Sequence, residues 1–125
     1  MKFNANQQDL QQALSYCQGV IEKRSTLQIL SNILLEAQNS QLTITATDLD
    51  LIFIHKIENI EILEEGKITT TSSIMHDIIR KFTPGKKINL SLTNTNKLQV
   101  ESEKSIFNLN CISASEFPLT DENFN

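Results

Sequence analysis

The stretch "NQQDLQQALSYCQGVI" (residues 6–21) decides how the first part of the chain folds. Its apolar residues recur at three- and four-residue intervals, the spacing that places side chains on one face of an α-helix. Asn6 is a suitable N-cap, and Asp9 falls in the first turn, where the helix dipole favours a negative charge. The pattern predicts an amphipathic helix with one apolar stripe, made of Leu10, Ala13, Leu14, Cys17 and Ile21.

A second helix is predicted within "SSIMHDIIRKF" (residues 72–82), opened by Ser72 or Ser73. It ends before Pro84-Gly85 because proline cannot continue a helix. Its apolar stripe consists of Ile74, Met75, Ile78, Ile79 and Phe82. Its outer face carries His76, Asp77, Arg80 and Lys81. The outer face of the first helix, in contrast, is polar without charge: Gln8, Gln11, Gln12, Ser15 and Gln18.

Most of the remaining chain alternates apolar and polar residues, which is typical of β-strands covered on one face. The alternation is regular in "LTITAT" (42–47), "INLSL" (88–92) and "FNLNC" (107–111). The segment "LIFIHKI" (51–57) begins with a continuous apolar run. Such a run indicates a strand that is buried on both faces or covered by a partner.

Taken in order, the predicted elements form the same βαβββ pattern twice, separated by the acidic connector "ENIEILEEG" (58–66). We therefore predict an α+β fold with two units related by a pseudo-two-fold axis and two helices side by side on one face of antiparallel sheets. The first unit comprises a strand at 2–5, a helix at 7–21 and strands near 29–37, 42–47 and 51–57. The second comprises a strand at 67–71, a helix at 73–82 and strands near 87–92, 97–102 and 105–111.

The composition narrows the functional classes. The 125 residues fit one domain, and 15 acidic against 11 basic residues give a net charge of −4. This charge argues against an indiscriminate nucleic-acid binder but permits a local basic patch. We see no membrane span and no secretory signal, and we expect a cytoplasmic protein. Cys17 and Cys111 are interpreted as buried free thiols, and two cysteines with two scattered histidines supply no metal site.

Two basic pairs lie at the ends of the predicted helices: Lys23-Arg24 after the first, and Arg80-Lys81 in the last turn of the second. Positive side chains at these positions can contact phosphates. They can equally serve only as favourable charges at the negative end of a helix dipole. The residues alone leave both interpretations open.

Catalysis is not predicted. Asp48 and Asp50 in "TDLD" (47–50) have a spacing that could hold Mg²⁺. No glycine-rich phosphate loop or third carboxylate accompanies them, so a hairpin corner in which Asp48 accepts backbone hydrogen bonds is the better interpretation. His55 and His76 are isolated, and Ser25-Thr26 lacks an identifiable general base.

Four ordered motifs carry a resemblance that covers essentially the whole chain: "MKF" (1–3), "RSTLQILSNILLEA" (24–37), "LTITATDLDL" (42–51) and "ASEFP" (114–118). Together they resemble the bacterial DNA polymerase III beta subunit, the sliding clamp, in the first of its three domains. The resemblance implies the DNA clamp fold of two βαβββ units. It also implies that residues 1–118 form the clamp N-terminal domain and residues 119–125 begin a linker to a second domain that this chain lacks.

The resemblance also implies a function. Clamps of this family are non-catalytic, ring-shaped homodimers that encircle duplex DNA and confer processivity on the replicative polymerase. Helices line the hole, so non-sequence-specific DNA contact is expected from Arg24, Lys23, Arg80 and Lys81. DNA polymerase III and the clamp loader bind domains that are missing here, and no cofactor is implied.

The strand "SIFNLNC" (105–111) matches the family's edge strand, which pairs with the third domain of the other subunit. The implied dimer-interface residues are Lys104, Ile106, Phe107 and Leu109. Alternation offers another possibility, because Phe107, Leu109 and Cys111 share a face and could fill the domain's own core. The alternative function is a generic protein-interaction domain that uses a sheet edge. A clamp should instead carry its basic residues on the helix side.

Overall fold

The computed structural model describes residues 1–21 and 28–118. Within them, α1 spans Gln7–Gln18 and α2 spans Ser72–Lys81. Short 3₁₀ turns cover Gln28–Ser31 and Ala114–Glu116. The strands are β1 (Lys2–Asn6), β2 (Asn32–Gln38), β3 (Gln41–Thr47), β4 (Ile52–Ile57), β5 (Glu61–Glu64), β6 (Gly66–Thr71), β7 (Lys87–Leu92), β8 (Lys97–Ser102) and β9 (Ser105–Ile112).

The strands form one antiparallel sheet in the order β4-β3-β2-β6-β9-β8-β7-β1-β5. The predicted double βαβββ pattern is confirmed as β1-α1-β2-β3-β4 and β6-α2-β7-β8-β9. The first strand of each unit pairs with the other unit: β6 lies beside β2, and β1 lies beside β7. This exchange joins the two units into one folded body.

The main correction to the predicted elements concerns the acidic connector, part of which is a strand. Residues Glu61–Glu64 form β5, which pairs with β1 through Phe3 opposite Ile62. The Nδ2 group of Asn4 donates to Oε1 of Glu61 at 2.7 Å and fixes this register. Between its glutamates this segment has a short apolar alternation: Ile60 is buried, and Ile62 packs against the core. A smaller correction is that β2 begins at Asn32, after a 3₁₀ turn.

The core lies between the helices and one face of the sheet. The predicted stripe of α1 is confirmed at Leu10, Ala13, Leu14 and Cys17, which are all fully buried. The stripe of α2 is narrower than predicted, because Ile74 is 51% exposed. Facing the helices, alternate strand residues complete the core, and its largest sheet members are Phe3, Ile33, Leu35, Leu42, Ile44, Ile88, Leu90 and Leu98.

The two cysteines differ in burial. Cys17 is buried in α1, and burial raises the pKa of its thiol to about 12. Cys111 is only half-buried, so the expectation of two buried thiols is wrong for this residue. Burial also raises the pKa of the Cys111 thiol, but a hydrogen bond with Thr70 opposes the shift.

We expect iodoacetamide at pH 8 to modify Cys111 well before Cys17 in the folded chain. The thiolate is the reactive form of cysteine. Because burial raises the pKa of Cys17 from 9.0 to about 12, Cys17 has roughly a thousandfold less thiolate at this pH than an ordinary exposed cysteine. Peptide mass spectrometry of a labelling time course measures both rates. In urea the two rates should become similar, whereas equal rates in the folded chain would contradict the buried position of Cys17.

Candidate nucleic-acid interface

The two helices lie antiparallel and are joined by polar contacts along their length. At the start of α1, Nε2 of Gln7 donates to the backbone carbonyl of Ile79 near the end of α2, at 2.8 Å. At the other end, Oγ of Ser72 donates to Oε1 of Gln18 at 3.0 Å. These contacts hold the pair in one orientation and leave a single shared face turned away from the sheet.

Local sequence explains where α1 begins and where α2 ends. The side chain of Asn6 accepts a hydrogen bond from the backbone N–H of Gln8 at 2.8 Å, which confirms the predicted N-cap of α1. The last turn of α2 closes at Phe82, whose backbone is extended and whose N–H donates to the carbonyl of Ile79. Pro84 follows two residues later and prevents continuation.

The outward face of the helix pair is called the helix surface below. Its members are exposed and recur at helical spacing on each helix. Gln11 and Gln18, predicted on this face, are half-buried because they turn towards neighbouring side chains. The helix surface comprises Gln8, Gln12 and Ser15 of α1, and Ser73, Asp77 and Arg80 of α2.

Charge is sparse on this surface. Arg80 forms an ion pair with Asp77, with Nη2 and Oδ1 separated by 3.0 Å. Lys81 is exposed beside it at the end of α2. Arg24 and Lys23 lie outside the described residues. Of the four predicted DNA-contacting residues, the described part of the chain therefore brings two, Arg80 and Lys81, to one end of α2.

The opposite face of the sheet also carries lysines, but they are mixed with carboxylates. Lys67 lies opposite Glu36 across β6 and β2, and Lys2 lies opposite Glu64 across β1 and β5. Alternation with buried residues places Lys56, Lys87 and Lys97 on the same face. The expectation that basic residues concentrate on the helix side is therefore met only in part, since the sheet face of the described residues carries these five lysines, mixed with Glu36, Glu61, Glu64 and Glu101.

The β9 edge is open over most of its length within the described residues. Strand β6 pairs with β9 only at Cys111 and Ile112, whereas β8 pairs with residues 105–110. From Ser105 to Leu109 the backbone therefore has no second strand neighbour in the described part of the chain. Such an edge presents unpaired N–H and C=O groups to a partner strand.

One family model and several relatives show the family to which this fold belongs. A family model described as the DNA polymerase III beta subunit, N-terminal domain, matches residues 1–121. The chain is 36% identical over 121 residues to the beta sliding clamp of Caulobacter vibrioides, covering 95% of this chain and 32% of that protein. It is 33% identical over 122 residues to the beta sliding clamp of Pseudomonas putida, covering 98% and 33%.

The chain belongs to the DNA polymerase III beta subunit family, as its N-terminal domain. The solved beta sliding clamp of Caulobacter crescentus superposes with a TM-score of 0.91 and 36% identity, over 97% of this chain and 32% of that chain. The DNA polymerase III beta subunit of Pseudomonas aeruginosa gives 0.89 and 30%, over 97% and 32%. This clamp domain therefore spans about a third of the length of its curated relatives.

Within the clamp domain, the interface residues predicted on and just before β9 differ in exposure. Lys104 and Ile106 are exposed, and Ile106 is 52% accessible. Phe107 is half-buried, with its ring edge-to-face against Phe82 at 5.8 Å between centroids. Leu109 is 4% exposed and belongs to the domain's own core. A partner could therefore reach Leu109 only through its backbone edge.

The β4 end of the sheet carries an exposed apolar surface, in the run that the sequence analysis predicted to be either buried on both faces or covered by a partner. Strand β4 is the terminal strand at this end, as β5 is at the other, and the turn before β4 holds Leu49 at a φ of +82°. A positive φ is rare for leucine and points the chain outward at this corner. The continuous apolar run in residues 51–57 was the available signal. The exposed members are Leu49, Leu51, Ile52 and Ile54.

The carboxylate of Asp48 is occupied by the backbone of its own turn. Its Oδ1 accepts hydrogen bonds from the N–H groups of Asp50 at 3.0 Å and Leu51 at 2.7 Å. This confirms the predicted hairpin corner. His55 packs between the rings of Tyr16 and Phe53, at centroid distances of 5.6 and 6.2 Å, and so has a packing role.

Residues 1–21 and 28–118 contain no group of three or more His, Cys, Asp or Glu side chains placed to hold a metal ion. In the same residues, neither helix has the length and apolar character needed to cross a membrane.

Proposed function

We propose that this chain is the first domain of a ring-shaped sliding clamp. The full-length protein is a homodimer that encircles duplex DNA and confers processivity on the replicative polymerase during DNA replication in the cytoplasm. The observation that carries the proposal is the antiparallel helix pair, which presents one sparsely charged surface in a domain of the beta subunit family. The clamp is a non-catalytic tether.

A sparsely charged surface suits a ring that must move along DNA. Amide and hydroxyl groups such as those of Gln8, Gln12 and Ser15 can meet phosphates directly or through water without a fixed ion pair. A few cations then supply the sequence-independent attraction. We assign this role to Arg80 and Lys81, and to Arg24 with Lys23 from the sequence. The balanced charges of the sheet face give that side little attraction for DNA.

The two open edges support ring closure. In the proposed dimer, β9 pairs with the other subunit, with Lys104 at the rim, Ile106 and Phe107 in contact and Leu109 contributing its backbone. The apolar surface of β4 receives a further domain of the same chain. Residues 1–118 form this domain and 119–125 begin the linker. The polymerase III and clamp-loader sites lie in the remaining two thirds of the protein.

A generic protein-interaction domain is the second candidate. The exposed residues of β4 favour it, because contiguous apolar residues at a sheet edge indicate a partner surface. It differs from the clamp proposal in one respect: it gives the helix surface no role.

Duplex titration of this chain tests the proposal. We expect weak, sequence-independent binding whose log K falls with log salt at a slope of about −2 to −4, for two to four neutralised phosphates. The double variant Arg80→Glu/Lys81→Glu should lose most of this binding at 50 mM salt, as measured by fluorescence anisotropy. Lys56→Glu/Lys67→Glu on the sheet face changes the net charge equally and is the matched control. Equal losses of binding in the two double variants would contradict the proposal that the helix surface contacts DNA. A strong preference among duplex sequences would also contradict it.

A further inference from the structure

Arg80, the one basic residue among the described members of the helix surface, lies in the last turn of α2 and is engaged by a neighbouring carboxylate. Asp77 precedes it by three residues, so the two side chains lie on the same face of α2. Oδ1 of Asp77 and Nη2 of Arg80 are 3.0 Å apart, a charge-assisted hydrogen bond. Both side chains keep more than half of their accessible surface, at 58% and 55%. The pair is therefore open to any anion that approaches this surface.

We propose that the carboxylate of Asp77 competes with DNA phosphate for the guanidinium of Arg80 and thereby lowers the affinity of the helix surface for duplex DNA. The inference rests on the proposed function and deepens it. Asp77 is a positioning residue: it acts through Arg80 rather than through its own contact with DNA.

The chemistry of the two anions carries this inference. A carboxylate and a phosphate both accept hydrogen bonds from a guanidinium, which has five N–H donors in a planar fork. While Asp77 holds the guanidinium, a phosphate must displace the carboxylate or share the fork with it. Exposed pairs of this type shift a competing equilibrium by only about 1.4- to 5-fold. DNA can therefore still reach Arg80, but the contact forms less often and breaks sooner.

The arrangement is specific to Arg80. The neighbouring Lys81 forms no ion pair among the residues that the structure describes. Asp9 is the exposed carboxylate of α1, and within the described ranges it forms no ion pair either. The variant Asp9→Asn is therefore the control: it removes the same charge from the neighbouring helix without freeing a guanidinium.

The decisive experiment compares Asp77→Asn with Asp9→Asn in duplex titrations of this chain between 20 and 150 mM salt. We expect Asp77→Asn to raise affinity by about two- to fivefold over wild type. We also expect its salt slope to steepen by less than about 0.9, the value for one whole additional phosphate, because wild-type Arg80 already reaches phosphate part of the time. Asp9→Asn should raise affinity less and leave the slope unchanged. Asp77→Glu, which keeps the charge and the spacing, should restore wild-type behaviour.

A second comparison, made in a chain that lacks the Arg80 guanidinium, tests whether Asp77 acts through Arg80. In Arg80→Gln, the further change Asp77→Asn should have no more effect than Asp9→Asn has. A gain that persists without the guanidinium, or equal gains from Asp77→Asn and Asp9→Asn, would overturn the inference and leave the proposed function standing. If the wild-type chain does not bind duplex at 20 mM salt, the phosphate contacts assigned to the helix surface fail and the inference fails with them, whereas ring closure is tested separately with the full-length protein.

Discussion

A full-length chain that carries Phe107→Asp is expected to sediment as a monomer while its domains stay folded. Phe107 lies on the open part of β9, half-buried, with its ring against Phe82. In the proposed dimer the partner strand covers the rest of that ring. Truncating an aromatic residue at the centre of an interface costs about 2–4 kcal/mol, which raises the dimer dissociation constant roughly 30- to 700-fold. A carboxylate in its place adds the cost of burying an unpaired charge.

Asn108→Asp is the matched control. It adds the same charge one residue along the strand, on the exposed opposite face. Analytical ultracentrifugation of both variants, with circular dichroism for the fold, separates the possibilities. An unfolded Phe107→Asp protein would show that this ring serves only the core. A folded variant that remains dimeric would place the interface elsewhere.

The helices are the part of this fold that the sequence predicts best. Leu10, Leu14 and Cys17 repeat at helical spacing, and local periodicity is sufficient to assign the buried face. Ile74 shows the limit of that reasoning. It is apolar and adjacent to Met75, yet it lies on the side of α2 that does not face the sheet. Which part of a stripe is buried depends on the orientation of the whole helix, and packing sets that orientation.

The sheet edges were harder to predict because strand order depends on contacts between distant residues. The sequence predicts that β4 is a strand, but it is terminal because β3 is its one strand partner among the described residues, while β1 pairs with β7 and β5 at the far end of the sheet and not with its own unit. The β1 pairs join segments more than fifty residues apart, so the local pattern carries little information about them. Strand β5 was missed for a different reason: its exposed glutamates made it resemble a connector.

The candidate site could be predicted in part. Arg80 and Lys81 were identified from their position at the end of a helix, and the structure places both in the exposed last turn. The ion pair between Asp77 and Arg80 was detectable from its three-residue spacing but was not predicted. The antiparallel arrangement of α1 and α2 was not accessible from the sequence, because it depends on tertiary contacts such as that of Gln7 with Ile79.

Retention on closed DNA is the prediction with the largest expected effect. Direct binding through a few cations has a slope of about −2 to −4, so a tenfold rise in salt weakens it roughly 100- to 10,000-fold. Encirclement does not depend on this attraction, because a closed ring leaves DNA only by opening or by sliding off an end. The full-length dimer, once loaded on a plasmid, should therefore remain bound at salt concentrations that abolish direct binding.

The most direct test of the clamp account is retention of the loaded full-length protein on one plasmid before and after a single restriction cut, at 0.5 M salt. Gel filtration of labelled protein with the plasmid measures the retained fraction. The account predicts retention on the circle and loss within minutes after the cut. Equal retention on circular and linear DNA, or absence from both, would contradict the conclusion that this domain is one segment of a ring around DNA.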